Sequence, residues 1–255
     1  MRIGIAGVTG RMGRLLVEEA AAAGHTISGG TASPGSATPG PDGTALLALP
    51  ALAAVSDAVV DFTHASAAAG HAAALAEMGT AWVLGTTGLS QDDEAAVERA
   101  ATRIPVVYAP NFAPGVNLVL ALAERLAAAL PPEDYDAEIM EMHHRQKVDA
   151  PSGTAVGLGR AVARGRGVRL EDVMVSGRDG HTGPRQPGAI GFAALRGGQI
   201  VGEHTLLFAT GSEQIALTHR AFDRRVFATG AVRAAAWVMG RAPGLYSMMD
   251  VLGMR

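Results

Sequence analysis

A short apolar run that ends in a glycine-rich turn constrains the fold of this chain more than any other feature. The run RIGIA at 2–6 is followed at once by GVTGRMG, which places glycines at positions 7, 10 and 13. Short apolar runs of this kind are typical of buried parallel strands. Residues 11–23 then carry apolar side chains at helical spacing and end at Gly24. The chain therefore begins with a predicted strand, tight turn and helix.

The same alternation continues through the first half of the chain. Apolar runs around Ile27 and at 57–62, 80–85 and 104–109 are separated by alanine-rich helical segments. Strands that alternate with helices indicate βαβ units, and hence an α/β fold with a doubly wound parallel sheet. Residues 31–43 are rich in proline, glycine and serine, and they predict a loop.

The pattern changes in the second half, where β-rich runs crowd together around one helix. Crowded runs of this kind indicate an antiparallel or mixed sheet in a second, smaller α+β domain. The last predicted helix is expected to return to the first domain. Strands are predicted at 137–142, 189–196, 200–209 and 213–220, and helices at 116–130, 152–163 and 228–239.

Composition and charge exclude several classes of function. The 255 residues carry a net charge of −3, without the clustered basic surplus that nucleic-acid phosphates require. The basic run at 160–169 is expected to be a solvated helix C-terminus. The absence of cysteine removes thiol nucleophiles, thiolate metal sites and disulfides, and it fits a reducing compartment. The first apolar run is too short for a signal peptide, and 116–130 is too short for a membrane span. We therefore expect a soluble cytoplasmic protein without nucleic-acid or membrane partners.

The glycine turn at 7–13 suits a dinucleotide. Its glycines permit close backbone approach, and the free N–H groups of the following helix complement a pyrophosphate. The strand before it and the helix after it favour this function over an ordinary turn. The acidic residue that usually binds the adenosine ribose about 20 residues further on is missing. Positions 32 and 33 are alanine and serine.

A second motif, EMHHRQKVDAPSGTA at 141–155, lies just before the helix predicted at 152–163. Ser152 is a natural N-cap for that helix. The amides of Gly153 and Thr154, together with the Ser152 and Thr154 hydroxyls, are therefore expected to form an anion site.

Cations and titratable groups lie directly upstream of this anion site. His143, His144 and Lys147 could converge on it, which suits a small substrate that bears carboxylates and must receive a proton. The two histidines are expected to leave the end of the strand on opposite sides, so no metal site is predicted.

Eight motifs along the chain, taken together and in order, resemble the 4-hydroxy-tetrahydrodipicolinate reductases. This family, formerly called dihydrodipicolinate reductases, serves bacterial diaminopimelate and lysine biosynthesis. The 141–155 motif is the most specific of the eight. The others are GVTGRMG (7–13), DFT (61–63), GTTG (85–88), NFAPGVNL (111–118), GRDGHTGPRQPGAIGF (177–192), VGEHTLLF (201–208) and GLYSMMDVLG (244–253).

The resemblance implies two domains and a reaction. Residues 1–113, completed by 225–255, would form a Rossmann-type dinucleotide-binding domain, and 114–224 a substrate-binding and tetramerisation domain. The reaction would be hydride transfer from NADPH or NADH to a cyclic dicarboxylate imine, which gives tetrahydrodipicolinate, in a homotetramer.

The resemblance also implies roles for individual residues. His143 and Lys147 match the family's proton-donating pair, whereas the substrate-carboxylate contacts match His144, Ser152, Gly153 and Thr154. The positions that match cofactor contacts are Gly7, Thr9, Gly10, Arg11, Met12, Gly13, Ala32, Ser33, Phe62, Gly85, Thr86, Thr87, Ala109, Asn111, Phe112, Arg224 and Phe227.

Two positions depart from the family pattern. Pro110 stands where small residues are commoner, and Ala32-Ser33 stands where an acidic–basic pair is frequent. Ala32 can neither accept a bond from a ribose hydroxyl nor repel a 2′-phosphate. We therefore expect both cofactors to be accepted, with a modest lean to NADPH.

Three other functions remain open at this point. A different Rossmann oxidoreductase, such as an amino-acid dehydrogenase, would share the first half of the chain but would not need the 141–155 motif. A non-catalytic nucleotide sensor could tolerate loss of His143 or Lys147, and both are present. A structural oligomerisation protein explains neither motif.

Overall fold

The structure, a computed structural model, describes residues 1–33, 35 and 37–254. Pro34 and Ser36, which belong to the predicted loop at 31–43, lie outside the described residues. Packing divides the chain into two compact units. The first consists of Met1–Pro114 and Arg225–Arg255, and the second of Gly115–Arg224. Among the described residues, no helix is both long and apolar enough to cross a membrane.

The first unit begins with strands and helices in strict alternation, which confirms the pattern predicted for this part of the chain. Short 3-10 turns lie at Pro41–Gly43 and Ala65–Ala67. The elements are β1 (Arg2–Ala6), α1 (Arg11–Ala22), β2 (Thr26–Gly30), α2 (Leu49–Val55), β3 (Ala58–Asp61), α3 (Ala68–Met78), β4 (Ala81–Leu84), α4 (Gln91–Ala101) and β5 (Pro105–Tyr108).

The second unit is richer in strands, and the chain then returns to the first unit. The elements up to Arg224 are α5 (Pro114–Ala129), β6 (Asp136–His143), α6 (Gly153–Gly165), α7 (Leu170–Val173), β7 (Met174–Ser176), β8 (Ile190–Arg196), β9 (Gly202–Ala209) and β10 (Gln214–Ala221). Those after it are α8 (Arg225–Val238), β11 (Gly244–Tyr246) and α9 (Met248–Leu252).

The sheet of the first unit is parallel throughout and has the order β11-β5-β4-β3-β1-β2. Its side chains contribute to two hydrophobic cores. Ile5 and Val60 pack under α1 and α8, whereas Val59 and Trp82 pack under α2, α3 and α4. The predicted doubly wound sheet is confirmed. In such a sheet, ligands bind beyond the carboxyl ends of the strands, where the strand order reverses.

The sheet of the second unit is mixed, as predicted, with the order β10-β9-β6-β8-β7. Its central strand β6 is antiparallel to β9 and parallel to β8. Helix α6 packs against these three strands. Ile139, Leu158, Phe192 and Leu206 are among the buried residues of the core between them.

The opposite face of β6 anchors the 177–192 motif through ion pairs. Glu138 accepts two hydrogen bonds from Arg178, at 2.9 and 3.0 Å, and one from Arg185 Nε at 2.8 Å. Gly191 lies beside this carboxylate, and a Cβ there would clash with it. A larger residue at this position would therefore displace the Glu138 carboxylate from its present position.

Two features of the fold differ from the sequence predictions. The short elements α7, β7, β11 and α9 were not predicted, because three to five residues are too few to show a period. Strand β6 also extends through His143. His143 therefore belongs to the strand and points to a defined face of the sheet, whereas the sequence predicted that it leaves the strand end.

Candidate active site

The face of β6 that packs on α6 changes from apolar to polar along its length. Alternate residues of the strand are buried, and the buried series runs from Ala137 and Ile139 to Glu141 and His143. Side chains two residues apart lie on the same face of a strand. The hydrophobic core of the second unit therefore continues directly into a buried carboxylate and a buried imidazole.

Strand register brings further polar side chains level with this pair. Glu141 lies opposite His204 of β9, and His204 lies opposite His219 of β10. On the other side, His143 pairs with Arg196 of β8. The sheet therefore assembles a polar row from residues that are far apart in the sequence.

The Glu141 carboxylate is the centre of this row. It is 1% exposed and accepts two hydrogen bonds from Arg196, at 2.8 and 2.9 Å. His143 Nδ1 lies 2.5 Å from it, and the Ser152 amide donates to it at 3.2 Å. Burial raises the pKa of Glu141, but the bonds from Arg196 and His143 outweigh that effect and lower the pKa below its usual value. The carboxylate is therefore ionised at neutral pH.

His143 is held in one tautomer by that carboxylate. A carboxylate can only accept, so the proton lies on Nδ1 and Nε2 carries the lone pair. Burial lowers the pKa of His143, Glu141 opposes the shift, and the charges of Lys147 and Arg196 add to it. His143 is therefore mostly neutral at about pH 7. Gly202 leaves room beside Nε2, since a Cβ there would lie 3.0 Å from that atom.

Ser152 is the N-cap of α6, as predicted, and its hydroxyl accepts from the Ala155 amide at 3.3 Å. The same hydroxyl is paired with His204 Nε2 at 3.0 Å, and the residue is 2% exposed. Its polar groups are thus engaged within the protein. Gly153 is instead exposed, and a Cβ on it would meet nothing within 4 Å. Gly153 and the half-buried Thr154 therefore form the accessible part of the predicted anion site.

The loop between β6 and α6 carries the remaining predicted residues. Lys147 Nζ donates to both oxygens of Asp149, at 2.7 and 2.9 Å, and its amide donates to the His144 carbonyl. His144 Nδ1 is buried without a hydrogen-bond partner among the described residues. A buried polar atom of this kind usually has a partner in proteins, which is consistent with a ligand contact at this position.

Sequence reasoning missed Glu141, Arg196 and His204. The signal for Glu141 was the alternation in EIMEMH at 138–143, which places Glu141 and His143 on one face. Arg196 and His204 could not be assigned without the strand register, because their approach to Glu141 depends on long-range pairing.

The glycine turn of the first unit has the geometry that its sequence predicts. Gly7 has a φ of +72°, and Gly10 donates its amide to the Gly7 carbonyl at 3.0 Å. A Cβ on Gly13 would lie 2.4 Å from that carbonyl oxygen, so α1 can begin this close to the turn only with glycine there. Thr31 completes the turn, because its hydroxyl accepts from the Gly7 amide at 3.0 Å.

A cleft of about 460 Å³ opens beside this turn, and a cavity of about 240 Å³ lies in the same unit. Predicted cofactor residues line both. The cleft contains Gly7, Thr9, Gly10, Ala32, Ser33 and Phe62, and the cavity contains Met12, Phe62, Asn111, Phe112 and Phe227, together with Pro110.

The other predicted cofactor residues are not part of the lining of this cleft and cavity. Gly85 packs against Phe62, since a Cβ there would lie 2.4 Å from the ring. Thr86 and Ala109 are buried, and Arg11 and Thr87 are exposed. Arg224 is half-buried at the end of the second unit.

Within the part of the chain that the structure describes, no cluster of three or more histidine, cysteine or acidic side chains could hold a metal ion. His143 is hydrogen-bonded to Glu141 at the end of β6, and His144 lies in the loop that follows.

A Rossmann-type unit with a glycine turn, in a chain that also carries a buried Glu–His pair, is the combination expected of a dinucleotide-dependent oxidoreductase. The sequence profile "Dihydrodipicolinate reductase, N-terminus" matches residues 1–112, and its C-terminal counterpart matches residues 115–252. The chain belongs to the dihydrodipicolinate reductase family.

Individual relatives agree with this assignment. The chain is 72% identical to a 4-hydroxy-tetrahydrodipicolinate reductase of Granulibacter bethesdensis, over 100% of this chain and 98% of the relative. It is 62% identical to the same enzyme of Gluconacetobacter diazotrophicus, with the same coverage. The fold resembles a dipicolinate-bound dihydrodipicolinate reductase from Paenisporosarcina sp. TG-14, with a TM-score of 0.80, 24% identity and 98% of each chain covered.

His204 leads to a prediction about stability and pH. Burial lowers the pKa of His204 to about 4, and the charge of His143 adds to that shift. The unfolded chain, whose histidine titrates at about 6.5, therefore binds the proton first as the pH falls. Stability from this group is lost between about pH 6.5 and pH 4, and about 2 kcal/mol of it between pH 7 and pH 5.

Urea unfolding across this pH range measures the effect. We expect His204→Asn to flatten the dependence of the unfolding free energy on pH, whatever it does to stability at pH 7. His25→Asn, a half-buried histidine of the first unit, should leave the slope as in the wild type. Equal slopes for wild type and His204→Asn would contradict the assignment.

Proposed function

We propose that this chain reduces 4-hydroxy-tetrahydrodipicolinate to tetrahydrodipicolinate with NAD(P)H, in diaminopimelate and lysine biosynthesis. One observation carries the proposal: a chain of the dihydrodipicolinate reductase family holds the buried Glu141–His143 pair beside the open N-terminus of α6. The arrangement offers a proton at one point and the backbone amides of a helix N-terminus for a carboxylate at the next. Together these are what reduction of a dicarboxylate imine requires.

His143 is the proposed proton donor, and Glu141 is its positioning residue. A bound NAD(P)H supplies the hydride. His143 must be protonated on Nε2 to donate, and its lowered pKa makes it a stronger acid once charged. A dianionic substrate nearby favours the charged imidazole, since opposite charge raises the pKa of a histidine. Binding of the substrate therefore favours the protonated form of His143, which is the form that donates. Lys147 is the proposed second member of the pair.

The substrate carboxylates are proposed to contact residues at both ends of the loop between β6 and α6, namely His144 at its start and Gly153 and Thr154 just after it. The amides of Gly153 and Thr154 face an anion at the start of a thirteen-residue helix, whose dipole favours negative charge. His144 contributes a ring whose Nδ1 is buried without a partner among the described residues. Ser152 is proposed to hold the start of α6 in place, because its hydroxyl is hydrogen-bonded to His204 and its amide donates to Glu141.

The cofactor is proposed to occupy the cleft beside the glycine turn. The residues present fit a dinucleotide, because the turn has the backbone geometry and the close helix approach that a pyrophosphate site needs. Arg11, Met12, Phe62, the Gly85-Thr86-Thr87 turn and the segment at 109–112 extend the site, with Arg224 and Phe227 as further contacts. Gly13 acts through packing, because a larger residue would displace the turn.

Assembly and location remain predictions. On the face of the mixed sheet away from α6, Met140 is 42% exposed and Leu195 is 57% exposed. Exposed apolar side chains on a sheet face favour contact with another subunit, which supports the homotetramer predicted from the family resemblance. A cytoplasmic location also stays a prediction.

The reaction is tested by oxidation of reduced cofactor in the presence of the preceding synthase and its substrates. We expect His143→Gln to lower kcat by roughly 10²–10⁴-fold with little change in KM, because general-acid help acts in the transition state. Lys147→Ala should also lower kcat. Glu141→Gln should lower kcat as well, since the amide no longer fixes the Nδ1 proton. His25→Gln is the matched control. Wild-type kcat in both His143→Gln and Lys147→Ala would remove these roles.

The substrate site is tested with two inhibitors. Pyridine-2,6-dicarboxylate should compete with the substrate, because both of its carboxylates meet charge-assisted donors. Pyridine-2-carboxylate lacks one of those contact sets and should bind about tenfold or more weakly. Inhibition constants from steady-state kinetics give the comparison. Equal constants for the two acids would show that the two-carboxylate pocket is wrong.

Cofactor choice is tested at the end of β2. We expect about a 3–10-fold preference for NADPH in kcat/KM, which is about 1 kcal/mol, because Ala32 does not repel a 2′-phosphate. Ala32→Glu should swing the preference toward NADH, and Arg11→Ala should harm NADPH more than NADH. A strong wild-type preference for NADH, or a ratio that Ala32→Glu leaves unchanged, would refute this account.

A further inference from the structure

The cleft beside the glycine turn, which Ala32 and Ser33 also line, carries two histidines that neither the glycine turn nor the proposed substrate site uses. His64 and His71 both line the cleft. His64 precedes the 3-10 turn at Ala65–Ala67, and His71 lies in the first half of α3. The lining of the cleft therefore includes two titratable side chains, although positions 32 and 33 carry no charged side chain.

The two histidines differ in how they are held. His64 is exposed, and its Nδ1 accepts the Ser66 amide at 3.3 Å. His71 is half-buried, and its Nδ1 lies 2.7 Å from Asp61 Oδ2. Of the two rings, His71 is held by a buried carboxylate, whereas His64 is held at the surface by a residue two positions along the chain.

Asp61 is a rigid support for this ring. It is buried at the end of β3, and its other oxygen accepts the Thr63 amide at 2.9 Å and the Thr63 hydroxyl at 2.6 Å. Burial raises the pKa of Asp61, but the bonds from His71 and Thr63 outweigh it and lower the pKa below its usual value. The side chain is thus an ionised acceptor, which places a proton on His71 Nδ1 and leaves Nε2 for the cleft.

The chemistry of Nε2 depends on the charge of the ring. A neutral imidazole with its proton on Nδ1 accepts at Nε2, whereas an imidazolium donates there. An acceptor suits a ribose hydroxyl, and a charged donor suits a phosphate. These are the two groups that distinguish NADH from NADPH. At most dinucleotide sites they are read by an acidic or a basic residue at the end of the second strand.

We propose that His71, fixed by Asp61, is a cofactor-specificity residue that accepts from the ribose 2′-hydroxyl of NADH when neutral and donates to the 2′-phosphate of NADPH when protonated. His71 thereby takes the place of both members of the acidic–basic pair that is absent at positions 32 and 33. The inference rests on the proposed function, since it assumes that the cleft holds a nicotinamide dinucleotide.

His71 shares the region of the cleft with other charged and titratable groups. Asp61 is hydrogen-bonded to its Nδ1, His64 lines the same cleft, and Arg11 stands at the start of α1. On the far side of α3, the charged residues Glu77, Arg99 and Arg103 line a separate cavity. Histidine is the side chain that ordinarily changes charge between about pH 5 and pH 8. The preference for NADPH over NADH should therefore weaken as the pH rises.

Direct binding without substrate tests this. Dissociation constants for NADPH and NADH would be measured by calorimetry at about pH 6 and about pH 8.5. We expect the wild-type ratio of the two constants to change by roughly tenfold in favour of NADH as the pH rises. His71→Gln, whose amide can still donate to Asp61, should flatten the change. The ionisation of the 2′-phosphate itself is common to both proteins and cancels in the comparison.

Proton uptake gives a second measurement on the wild type alone. Calorimetry in two buffers of different ionisation enthalpy should show that NADPH binding takes up protons at about pH 7.5, whereas NADH binding does not. His25→Gln, in a separate cavity of the same unit, should behave as the wild type.

The outcomes separate this inference from the proposed function. Failure of both cofactors to bind would overturn the proposed function. Binding of both with the same pH dependence in wild type and His71→Gln would overturn the role of His71 alone. Flattening by His64→Gln and not by His71→Gln would also overturn it, because the exposed ring of His64 would then be the one that distinguishes the two cofactors.

Discussion

The second unit depends on one buried carboxylate. Glu141 accepts from Arg196 of the neighbouring strand, from His143 on its own strand and from the amide of the helix N-cap Ser152. Removing one partner of a buried charge pair leaves an uncompensated charge, at a cost of about 3–5 kcal/mol. The same oxygen atoms thus fix the strand pairing, the start of α6 and the orientation of the proposed proton donor.

This arrangement explains why core and site cannot be separated along β6. Ile139 and His143 occupy the same strand face, and a shift of one residue in register would move the whole series to the opposite face. The hydrophobic residues therefore set the position of the titratable ones. The lowered pKa of His143 follows from the same burial that stabilises the strand.

Much of the fold could be predicted from the sequence, because the relevant signals are local. The run at 2–6 and the glycines after it specify β1, the turn and α1. Glu141, Arg196 and His204 were not predicted, because their proximity depends on the register of β6, β8 and β9. The Asp61–His71 pair was not predicted for a related reason. The end of a buried strand and the following helix come into contact only in the folded chain.

The exposed start of α6 has a consequence for how such a protein can diverge. Gly153 is exposed with open space above it, whereas the Glu141–His143 pair is buried and bonded on several sides. Substitutions near Gly153 can therefore alter which acid the proposed site recognises while the proposed proton-handling residues stay unchanged. In the proposed site, proton transfer is assigned to the buried interior and recognition to the exposed rim, so selectivity could change in evolution without rebuilding the reaction centre.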